Sequence, residues 1–395
     1  GDIVELKRES YHPKPDEVLP YIGLEHIGQG TLRLISVGKS NEVTSTKSYF
    51  SKGDILFGKL RPYFRKVVRP KFNGVCSTDI LVLTSKNPRK FNQTFLFYLM
   101  ASQEMIDLAT ASSSGTKMPR ADWKVLQNLE ISIPEDVNEQ ERIGKILETI
   151  DDKIDINIRM NKTLEEMAMT LYKHWFVDFG PFQDGEFVES ELGMIPKGWK
   201  AKKLGDLYDT SSGGTPSRRK TEYYQDGTIN WLKTKELNDN FIFETEEKIT
   251  ELGLENSSAK VFPKNTVIIA MYGATVGKLG ILSEPSSTNQ ACCAVIEKNQ
   301  SFSYVLAYLY LLFNRTKIVG LANGGAQQNI NQQIIRDLPI VVPTEKDLNI
   351  IQPKLLELFE LIRTNEQENR YLINLRDYLL PRLLSGEIDV SKAEK

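Results

Sequence analysis

The chain has 395 residues, of which 40% are hydrophobic and 26% are charged, as expected for a globular protein of two or three domains. Neither an apolar run of 18 residues nor a basic-then-apolar leader is visible, which argues against a membrane protein and predicts a cytoplasmic one. Three cysteines and three scattered histidines predict neither a disulfide framework nor a metal site, and a net charge of −2 excludes polyanion binding by bulk charge.

Charge is nevertheless segregated along the chain. Residues 1–137 contain 19 Lys and Arg against 15 Asp and Glu, whereas residues 138–178 contain 6 against 9. Basic clusters such as 61–66 and 218–220 suit phosphate contacts, although a solvated surface explains any single cluster equally well.

The sequence contains an internal repeat. Residues 50–67, FSKGDILFGKLRPYFRKV, align with residues 262–279, FPKNTVIIAMYGATVGKL, at an offset of 212. Residues 115–134 likewise align with residues 324–343, and the segment that follows each of them repeats at an offset of 208. Two copies are too few for a solenoid, and they predict a pseudo-two-fold molecule.

Each copy begins with a globule in which short β-rich runs mix with helical stretches without a βαβ period. This mixture predicts an α+β fold. Strands are predicted at Asp54–Phe57, Ile80–Leu83, Ile131–Ile133, Val267–Ala270, Ala294–Ile296 and Ile340–Val342, and helical stretches at Phe91–Ala111 and Val305–Val319.

A long helix follows the first globule. It is predicted to begin near Asn138, which forms a capping box with Glu141, and to end near His174. At 1.5 Å per residue, its length is about 54 Å. A helix of this length with one apolar stripe needs a partner, which the second copy of the repeat can provide.

The tip MYGATVGKLG of the second globule, residues 271–280, is close to a phosphate loop in sequence. However, three residues instead of four separate Gly273 from Gly277, and Leu279 rather than Ser or Thr follows the lysine. The first copy has no glycine at the same place. We therefore interpret the tip as a variable loop on a common scaffold and not as an ATP site.

A second long helix is predicted after Pro343, with Thr344 as N-cap, and should end near Leu384 before Gly386. A two-fold relation would make the two helices antiparallel (coiled-coil), although each could instead pack only on its own globule. The predicted helix-pair interface consists of Ile143, Leu147, Ile150, Ile154, Leu164, Ile351, Leu355, Leu358, Ile362, Leu372, Leu375 and Leu379.

Polar loops recur at equivalent places in the two globules. Amides and arginine bind base edges, whereas Lys, Ser, Thr and glycine N–H groups hold phosphates. An ordinary surface loop is the alternative for each one, and their recurrence favours recognition. The candidate DNA-binding residues are Lys59, Arg61, Tyr63, Arg65, Lys66, Thr116, Lys117, Arg120, Ser212, Gly213, Gly214, Thr215, Arg218, Lys220, Lys233, Lys235, Tyr272, Gly273, Thr275, Lys278, Gln327, Gln328, Asn329 and Asn331.

Catalytic motifs are not recognisable in the sequence. It has no base pocket of an amino-methyltransferase, no glycine-rich methyl-donor loop after a first strand, and no nucleophile elbow. We therefore expect this chain to have no catalytic residues, no metal and no cofactor of its own.

Eight motifs are specific when they occur together: FSKGDILFGKLRPYFRKV, GTKMPR, LYKHWFVDF, SGGTPSR, IAMYGATVGK, TNQACC, GAQQNINQ and LRDYLLPRLLSGEI. In this order and in two copies, they resemble the specificity subunit of type I restriction–modification systems over nearly the whole chain. The first domain departs from the family pattern because it lacks a counterpart of MIPKGWKAKKL, residues 194–204, so its first strand is expected to be incomplete.

The resemblance implies that each globule is a target recognition domain for one half of a bipartite site on double-stranded DNA. The helices would form the spacer and dock two modification subunits that use S-adenosylmethionine, with the flipped adenine in the partner's pocket. Restriction subunits with ATP and magnesium would cleave. The implied segments are target recognition domains 1–137 and 179–343, spacer helices 138–178 and 344–388, and a tail 389–395.

Two other functions are compatible with the residues alone. A free-standing DNA-binding regulator would bind specific DNA tightly without partners, whereas a specificity subunit would expose apolar helix faces until a partner covers them. A scaffold with no role in DNA binding would tolerate alanine at Arg61, Arg218 and Gln328.

Overall fold

The computed structural model describes residues 1–113, 118–298, 302–321 and 329–390. The chain folds into two compact units. The first unit contains Gly1–Asp155 and the chain from Arg370 onwards, and the second contains Ile156–Asn369. Each unit therefore combines one globule with the adjoining parts of both long helices.

Two sheets form the first globule. They have the strand orders β1-β9-β6-β7 and β2-β5-β8-β3-β4. Strand β6 is buried along its whole length because elements pack on both of its faces, which explains its continuous apolar sequence. The strands are β1 (Val4–Leu6), β2 (Ser10–Tyr11), β3 (Pro20–Ile22), β4 (Gly38–Lys39), β5 (Lys47–Phe50), β6 (Ile55–Gly58), β7 (Val67–Val68), β8 (Gly74–Cys76) and β9 (Ile80–Ser85).

The helices of the first globule are α1 (Gln93–Ala101), α2 (Gln103–Ala111) and α3 (Trp123–Leu126). The single helical stretch predicted at 91–111 is divided at Ser102. The Ser102 hydroxyl accepts a hydrogen bond from the Met105 N–H at 3.2 Å, so it ends one helix and caps the next.

The first long helix, α4 (Val137–Phe176), has 40 residues. Its predicted N-cap, Asn138, is wrong. The Asp136 carboxylate accepts the hydrogen bond from the Asn138 N–H at 3.0 Å, because α4 begins two residues earlier than a cap at Asn138 requires.

The second globule repeats the two-sheet plan, with strand orders β13-β21-β18-β19-β15 and β16-β14-β20-β17, and adds the pairs β10-β11 and β12-β22. Its elements are β10 (Phe187–Ser190), β11 (Gly193–Pro196), β12 (Lys200–Lys203), α5 (Leu204–Leu207), β13 (Tyr208–Ser212), β14 (Ile229–Leu232), β15 (Asn240–Ile242), β16 (Lys248–Ile249), α6 (Glu251–Glu255), β17 (Val261–Phe262), β18 (Val267–Ala270), β19 (Leu279–Leu282), β20 (Ser286–Thr288), β21 (Cys292–Glu297), α7 (Tyr304–Phe313), α8 (Arg315–Gly320), α9 (Gln332–Arg336) and β22 (Pro339–Val342).

Strand pairing confirms the internal repeat. Ile55 pairs with Leu83 in the first globule, and Val267 pairs with Val295 in the second, so both partners are shifted by the same 212 residues as the sequences. The predicted strand at Ile131–Ile133 is wrong, because this segment is irregular. Its counterpart in the second globule is β22, which is held by pairing with β12.

The second long helix, α10 (Glu345–Leu384), begins as predicted. The Thr344 hydroxyl accepts a hydrogen bond from the Asp347 N–H at 3.2 Å, which confirms Thr344 as the N-cap. The helix ends before Gly386, whose φ of 75° is the left-handed conformation typical of a helix C-terminus.

Parts of α4 and α10 pack against each other within each unit. In the second unit, Asn157 Nδ2 donates to Asn369 Oδ1 at 3.0 Å, and Asn365 Nδ2 donates to Asn161 Oδ1 at 2.8 Å. Because the higher number on one helix faces the lower number on the other, the segments are antiparallel. In the first unit, Ile143 and Leu147 share a core with Leu380 and Leu383.

Buried and half-buried residues recur along α10 in alternating steps of four and three from Ile351 to Leu383. The predicted interface residue Leu375 is wrong, since 44% of it is exposed. The fully buried Arg376 occupies the heptad position instead, and a search for apolar residues cannot find it. Of the other predicted interface residues, Ile143, Leu147, Ile150, Ile154, Ile351, Leu355 and Ile362 are buried, and Leu164, Leu358, Leu372 and Leu379 are half-buried.

Candidate nucleic-acid interface

Three loops of the first globule meet at one end of its central strands. The Lys59 N–H donates to Asp79 O at 2.9 Å, the Arg61 N–H donates to Pro119 O at 2.8 Å, and the Ala121 N–H donates to Lys59 O at 2.9 Å. The main chain thus joins the tip that follows β6 to the loops that precede β9 and α3. Most basic candidates of this globule lie on these loops.

The second globule joins the equivalent loops in the same way. The Met271 N–H donates to Ala291 O at 2.8 Å, and the Ile330 N–H donates to Met271 O at 2.9 Å. Met271 follows β18 as Lys59 follows β6. The scaffold therefore presents the same set of loops twice, while their side chains differ.

The tip of the first globule, residues 59–66, is a compact turn. Arg61 and Arg65 have φ values of 51° and 48°, a region that residues other than glycine rarely adopt, on either side of a short turn at Pro62–Phe64. Tyr63 is 49% exposed at its apex. The turn therefore presents an aromatic ring next to the basic cluster.

Not every cation of this tip faces outwards. Arg65 Nε donates to Ala101 O at 2.8 Å, and Lys66 Nζ donates to Leu24 O at 2.6 Å, so both side chains fasten the tip to the globule. Arg120 is exposed and contacts Asp79, with 3.2 Å between Nε and Oδ1. Arg65 and Lys66 are thus positioned as structural residues, in contrast to their predicted role.

The tip of the second globule is not built as a phosphate cradle. The N–H groups of Val276, Gly277 and Lys278 donate to Gly273 O, Ala270 O and Thr275 O at 3.2, 2.9 and 2.9 Å. A phosphate loop needs such groups to point at its ligand. The two glycines of this tip therefore belong to a tight turn and not to a phosphate-binding loop, and Gly277 has a φ of 79°.

Lys278 points towards the globule, where its Nζ lies 3.0 Å from Asp239 Oδ2. Arg315 pairs with the same carboxylate, which also accepts a hydrogen bond from the Leu279 N–H at 3.0 Å. Desolvation raises the pKa of Asp239, but these hydrogen bonds outweigh it and leave the pKa lowered. The positive charge of Lys278 is therefore balanced by a carboxylate of the same chain.

Trp231 is the centre of a second cluster of candidate residues. The Arg218 guanidinium carbon lies 4.4 Å from the centre of the Tyr224 ring and 4.9 Å from that of Trp231. Glu247 accepts a hydrogen bond from Arg218 Nη1 at 2.5 Å and pairs with Lys233. The hydrogen bond from Lys233 is the main reason why the pKa of Glu247 is lowered.

Gly213 and Gly214 are required by packing. A Cβ atom on Gly213 would lie 2.1 Å from Thr288 O, and one on Gly214 would lie 2.4 Å from the carbonyl carbon of Ser258. The Gly214 N–H donates to Thr288 O at 2.9 Å, so it does not offer the phosphate contact predicted for it. Both glycines instead let the loop pass close to β20.

Several other candidates have partners within the chain. Ser212 Oγ lies 3.3 Å from Gln332 Oε1, Lys220 Nζ donates to Tyr223 OH at 2.8 Å, and Asn331 caps α9 by accepting from the Ile334 N–H at 2.8 Å. Thr215 contacts Gln290, and Lys235 pairs with Glu246. Asn329 and Gly273 are exposed, Tyr272 and Thr275 are half-buried, and Thr116, Lys117, Gln327 and Gln328 lie outside the described residues.

The residues that organise this interface were not identified from the sequence. Glu247 was missed because it lies 29 residues away from Arg218 in the sequence and belongs to no recognisable motif. Trp231 and Tyr224 were available as signals, since an aromatic residue between basic residues is a common cation–π arrangement. The repeated pairing of candidate cations with acids shows that folding decides which of them are available.

Apolar side chains also lie exposed on the long helices. Ile158, Met160 and Met167 of α4 are exposed in the second unit, and Tyr371 and Tyr378 of α10 are exposed in the first. Across the described ranges, no helix combines the length and apolarity needed to span a membrane, and no group of three His, Cys, Asp or Glu residues could hold a metal ion.

Comparisons with known proteins agree with this two-part organisation. The family model for the type I restriction modification DNA specificity domain matches residues 1–166 and 196–372. The specificity subunit of the type I restriction enzyme HindI from Haemophilus influenzae is 30% identical to this chain, over 87% of this chain and 88% of that protein. The specificity subunit of MjaIX from Methanocaldococcus jannaschii is 29% identical, over 79% and 76%.

A solved structure has a similar fold. The crystal structure of the type I restriction–modification system S subunit from M. genitalium aligns with a TM-score of 0.59 at 15% sequence identity. The alignment covers 97% of this chain and 94% of that chain.

Proposed function

This chain belongs to the type I restriction modification DNA specificity family, and on that premise we propose that it is the DNA-recognition subunit of a type I restriction–modification complex. Each globule recognises one half of a two-part site on double-stranded DNA. The paired parts of α4 and α10 set the distance between the two halves. Methylation and cleavage belong to partner subunits, and this chain is not a catalyst.

The observation that supports this proposal most strongly is the duplicated set of loops. The same main-chain hydrogen bonds join Lys59 to Ala121 in one globule and Met271 to Ile330 in the other. The side chains on these loops differ, with a basic and aromatic tip in the first globule and a glycine-containing tip in the second. Two similar scaffolds with different contact residues suit two different short DNA sequences.

The ion pairs within the loops indicate which cations could contact DNA phosphates. Arg218 and Lys233 share Glu247, and Arg120 contacts Asp79. A DNA phosphate can replace such a carboxylate partner, because both are anions that accept charge-assisted hydrogen bonds. Binding then neutralises phosphates and must weaken as the salt concentration rises.

The exposed apolar side chains of the long helices suit partner subunits. Ile158, Met160, Tyr371 and Tyr378 are large, and an exposed apolar surface of this kind is typical of an interaction site. We assign these surfaces to two modification subunits. In this arrangement, S-adenosylmethionine is bound by the modification subunits, and ATP with magnesium is bound by the restriction subunits.

The proposal is tested by mapping N6-methyladenine. The chain and its modification subunit are expressed in a methylation-free bacterial host, and methylated positions are read by long-read sequencing. We expect a gapped, two-part motif that disappears when this chain is omitted. If the complex assembles and no such motif is found, the proposed function is wrong, and specific DNA binding by the chain alone would then favour a regulator.

A further inference from the structure

The tip of the first globule, residues 59–66, is held by a carboxylate of the long helix α10. Arg65 Nη2 donates to Asp377 Oδ1 at 3.3 Å, while its Nε donates to Ala101 O at 2.8 Å. Arg65 closes the turn of the tip with a φ of 48°, so a fixed Arg65 side chain fixes the end of the turn. Asp377 thus acts on the tip although it belongs to none of the candidate loops.

Asp377 is itself held from the other side. Arg376 Nη2 donates to Asp377 Oδ1 at 3.1 Å, and Arg376 Nη1 donates to Asp151 Oδ1 at 2.8 Å. Asp151 also accepts a hydrogen bond from Tyr98 OH at 2.8 Å. Charge-assisted hydrogen bonds are strong, and Arg376 is fully buried, so this series has little freedom to move. It joins the tip of the first globule to the buried seam of α4 and α10.

A different carboxylate, that of Asp239, holds the tip of the second globule, residues 271–280. The Asp239 N–H donates to Leu279 O at 2.8 Å, and the Leu279 N–H donates to Asp239 Oδ1 at 3.0 Å. Lys278 Nζ lies 3.0 Å from Asp239 Oδ2, and Arg315 Nη1 donates to the same oxygen at 3.1 Å. The end of this tip is therefore bound through its main chain and through a side chain to one residue.

The segment that carries Asp239 is fixed to two helices. Tyr308 of α7 is buried, and its OH donates to Asp239 O at 3.1 Å. Two residues further on, the Phe241 N–H donates to Glu366 Oε2 of α10 at 3.1 Å. Both tips are consequently tied to side chains of α10, directly by Asp377 in the first unit and through residues 239–241 in the second.

The two carboxylates are not copies of each other. At the offset of 208 between the long helices, Asp377 corresponds to Met169, which is not ionisable. Asp239 instead precedes β15 within the second globule. Asp377 and its partners belong to the first unit, and Asp239 and its partners belong to the second. A change in one carboxylate therefore leaves the contacts of the other intact.

Resting on the proposed function, we infer that Asp377 and Asp239 are positioning residues, each of which fixes the tip of one globule and thereby controls the reading of one half-site only. Each acts through the cations that it holds, Arg65 in the first globule and Lys278 with Arg315 in the second. Reading a base edge requires partners within hydrogen-bond distance. A displaced tip therefore loses discrimination between bases, while phosphate contacts elsewhere keep the DNA bound.

The test compares Asp377→Ala with Asp239→Asn. Alanine removes the acceptor and suits an exposed helix position, and asparagine tolerates the φ of 60° at residue 239 but cannot form the ion pairs. Fluorescence anisotropy measures the affinity of the assembled methyltransferase for three duplexes: the mapped motif, the motif with one base pair changed in one half, and the motif with one changed in the other half.

The parent should bind each changed duplex about tenfold or more weakly than the motif. Asp377→Ala should lose most of this difference for one half and keep it for the other, and Asp239→Asn should show the opposite pattern. A general loss of stability would weaken binding to all three duplexes alike, so it would not produce this pattern.

Matched controls remove an acid of the same unit that does not contact a tip. Asp152→Ala breaks an ion pair of α4 with Lys71, and Glu186→Gln breaks one with Lys197. Both should keep the discrimination of the parent at both halves.

Arg65→Gln and Arg315→Gln remove the cations and should affect the same halves as Asp377→Ala and Asp239→Asn, respectively. They decide the matter if a variant of the carboxylate does not assemble. Discrimination like that of the parent at both halves, or an equal loss at both halves in one variant, would overturn the positioning role. A parent complex that discriminates at neither half would show instead that the proposed function is wrong.

Discussion

Single residues of the candidate interface show how folding changes the roles that a sequence predicts. Arg218, Lys233 and Lys278 are all cations on loops, but each has an acid partner within the chain, and Glu247 serves two of them. Arg218 differs from Lys278 because it is more exposed and lies over two aromatic rings. Arg218 is therefore the better candidate for a phosphate contact.

Changing Arg218→Ala should weaken DNA binding by a similar factor for all sequences. The slope of log affinity against log salt concentration should become less steep by about one, because one phosphate is no longer neutralised. Fluorescence anisotropy of the assembled methyltransferase on labelled DNA, at several salt concentrations, measures both quantities. The matched control is Lys197→Ala, which removes an exposed ion pair with Glu186 outside the candidate loops. An unchanged slope for Arg218→Ala would exclude the phosphate contact.

Glu366 makes the stability of the second unit depend on pH. Burial raises its pKa from 4.5 to about 8, and its Oε2 accepts a hydrogen bond from the Phe241 N–H at 3.1 Å. Between these values the folded state binds a proton that the unfolded state has lost. The free energy of unfolding must therefore decrease as the pH rises through this window.

Changing Glu366→Gln should remove that dependence, since glutamine still accepts the hydrogen bond but does not ionise. We expect the variant to unfold at a higher temperature than the parent at pH 8 and at nearly the same temperature at pH 5. Scanning calorimetry at both pH values checks this, with the exposed Glu357→Gln of the same helix as control. A constant difference between Glu366→Gln and the parent would contradict a raised pKa.

Among the elements, the long helices show a difference between the two copies of the repeat. In the first unit, Arg376 Nη1 donates to Asp151 Oδ1 at 2.8 Å, and Tyr98 OH donates to Asp151 Oδ2 at 2.8 Å. In the second unit, the positions of Arg376 and Asp151 are occupied by Ala168 and Phe359, which share an apolar core. Equivalent positions of the two copies are therefore filled by an ion pair in the first unit and by apolar side chains in the second.

Changing Arg376→Ala should cost about 3 kcal/mol of unfolding free energy, because it removes one partner of a buried ion pair. Adding Asp151→Phe, which copies the second unit, should recover part of that loss, since Arg33 keeps its ion pair with Asp155 while the buried Tyr98 hydroxyl loses its acceptor. Equilibrium urea denaturation of the parent, both single variants and the double variant measures the coupling. Additive losses in the double variant would contradict the interpretation.

The fold was largely predictable from the sequence, because the repeat and the apolar periodicity determine the sheets and the long helices. Arg376 was missed since periodicity was sought only in apolar residues. The segment 131–133 was wrongly predicted as a strand because a strand needs a partner, which local sequence does not specify. The acid partners of Arg218 and Lys278 could not be predicted, since these pairs are distant in sequence and depend on how the loops fold.

At the scale of the whole molecule, we propose that the paired helices act as a ruler, so that their length sets the distance between the two half-sites on DNA. Four buried asparagines, Asn157, Asn161, Asn365 and Asn369, pair across the helices and fix their register. Inserting one heptad into each helix beside these residues keeps the alternating pattern of three and four. It adds about 10 Å to each helix.

DNA rises about 3.4 Å per base pair, so the heptad insertions should lengthen the gap in the recognised site by about three base pairs. Both half-site sequences should stay unchanged. Mapping N6-methyladenine for the inserted chain measures gap and half-sites together. The same seven residues inserted in the exposed turn at Asp184–Gly185 are the control, and they should leave the gap as it is. An unchanged gap after the helix insertions would contradict the ruler.

The central claim is that each globule recognises its own half-site. Its most direct test is a methylation map for a chimera in which residues 1–134 are replaced by the matching region of a related specificity subunit with a different motif. A second chimera replaces residues 205–343. We predict that each chimera keeps one half of the parental motif and exchanges the other, and that the two chimeras keep opposite halves. A chimera that assembles with its methyltransferase and changes both halves, or neither, would contradict the account.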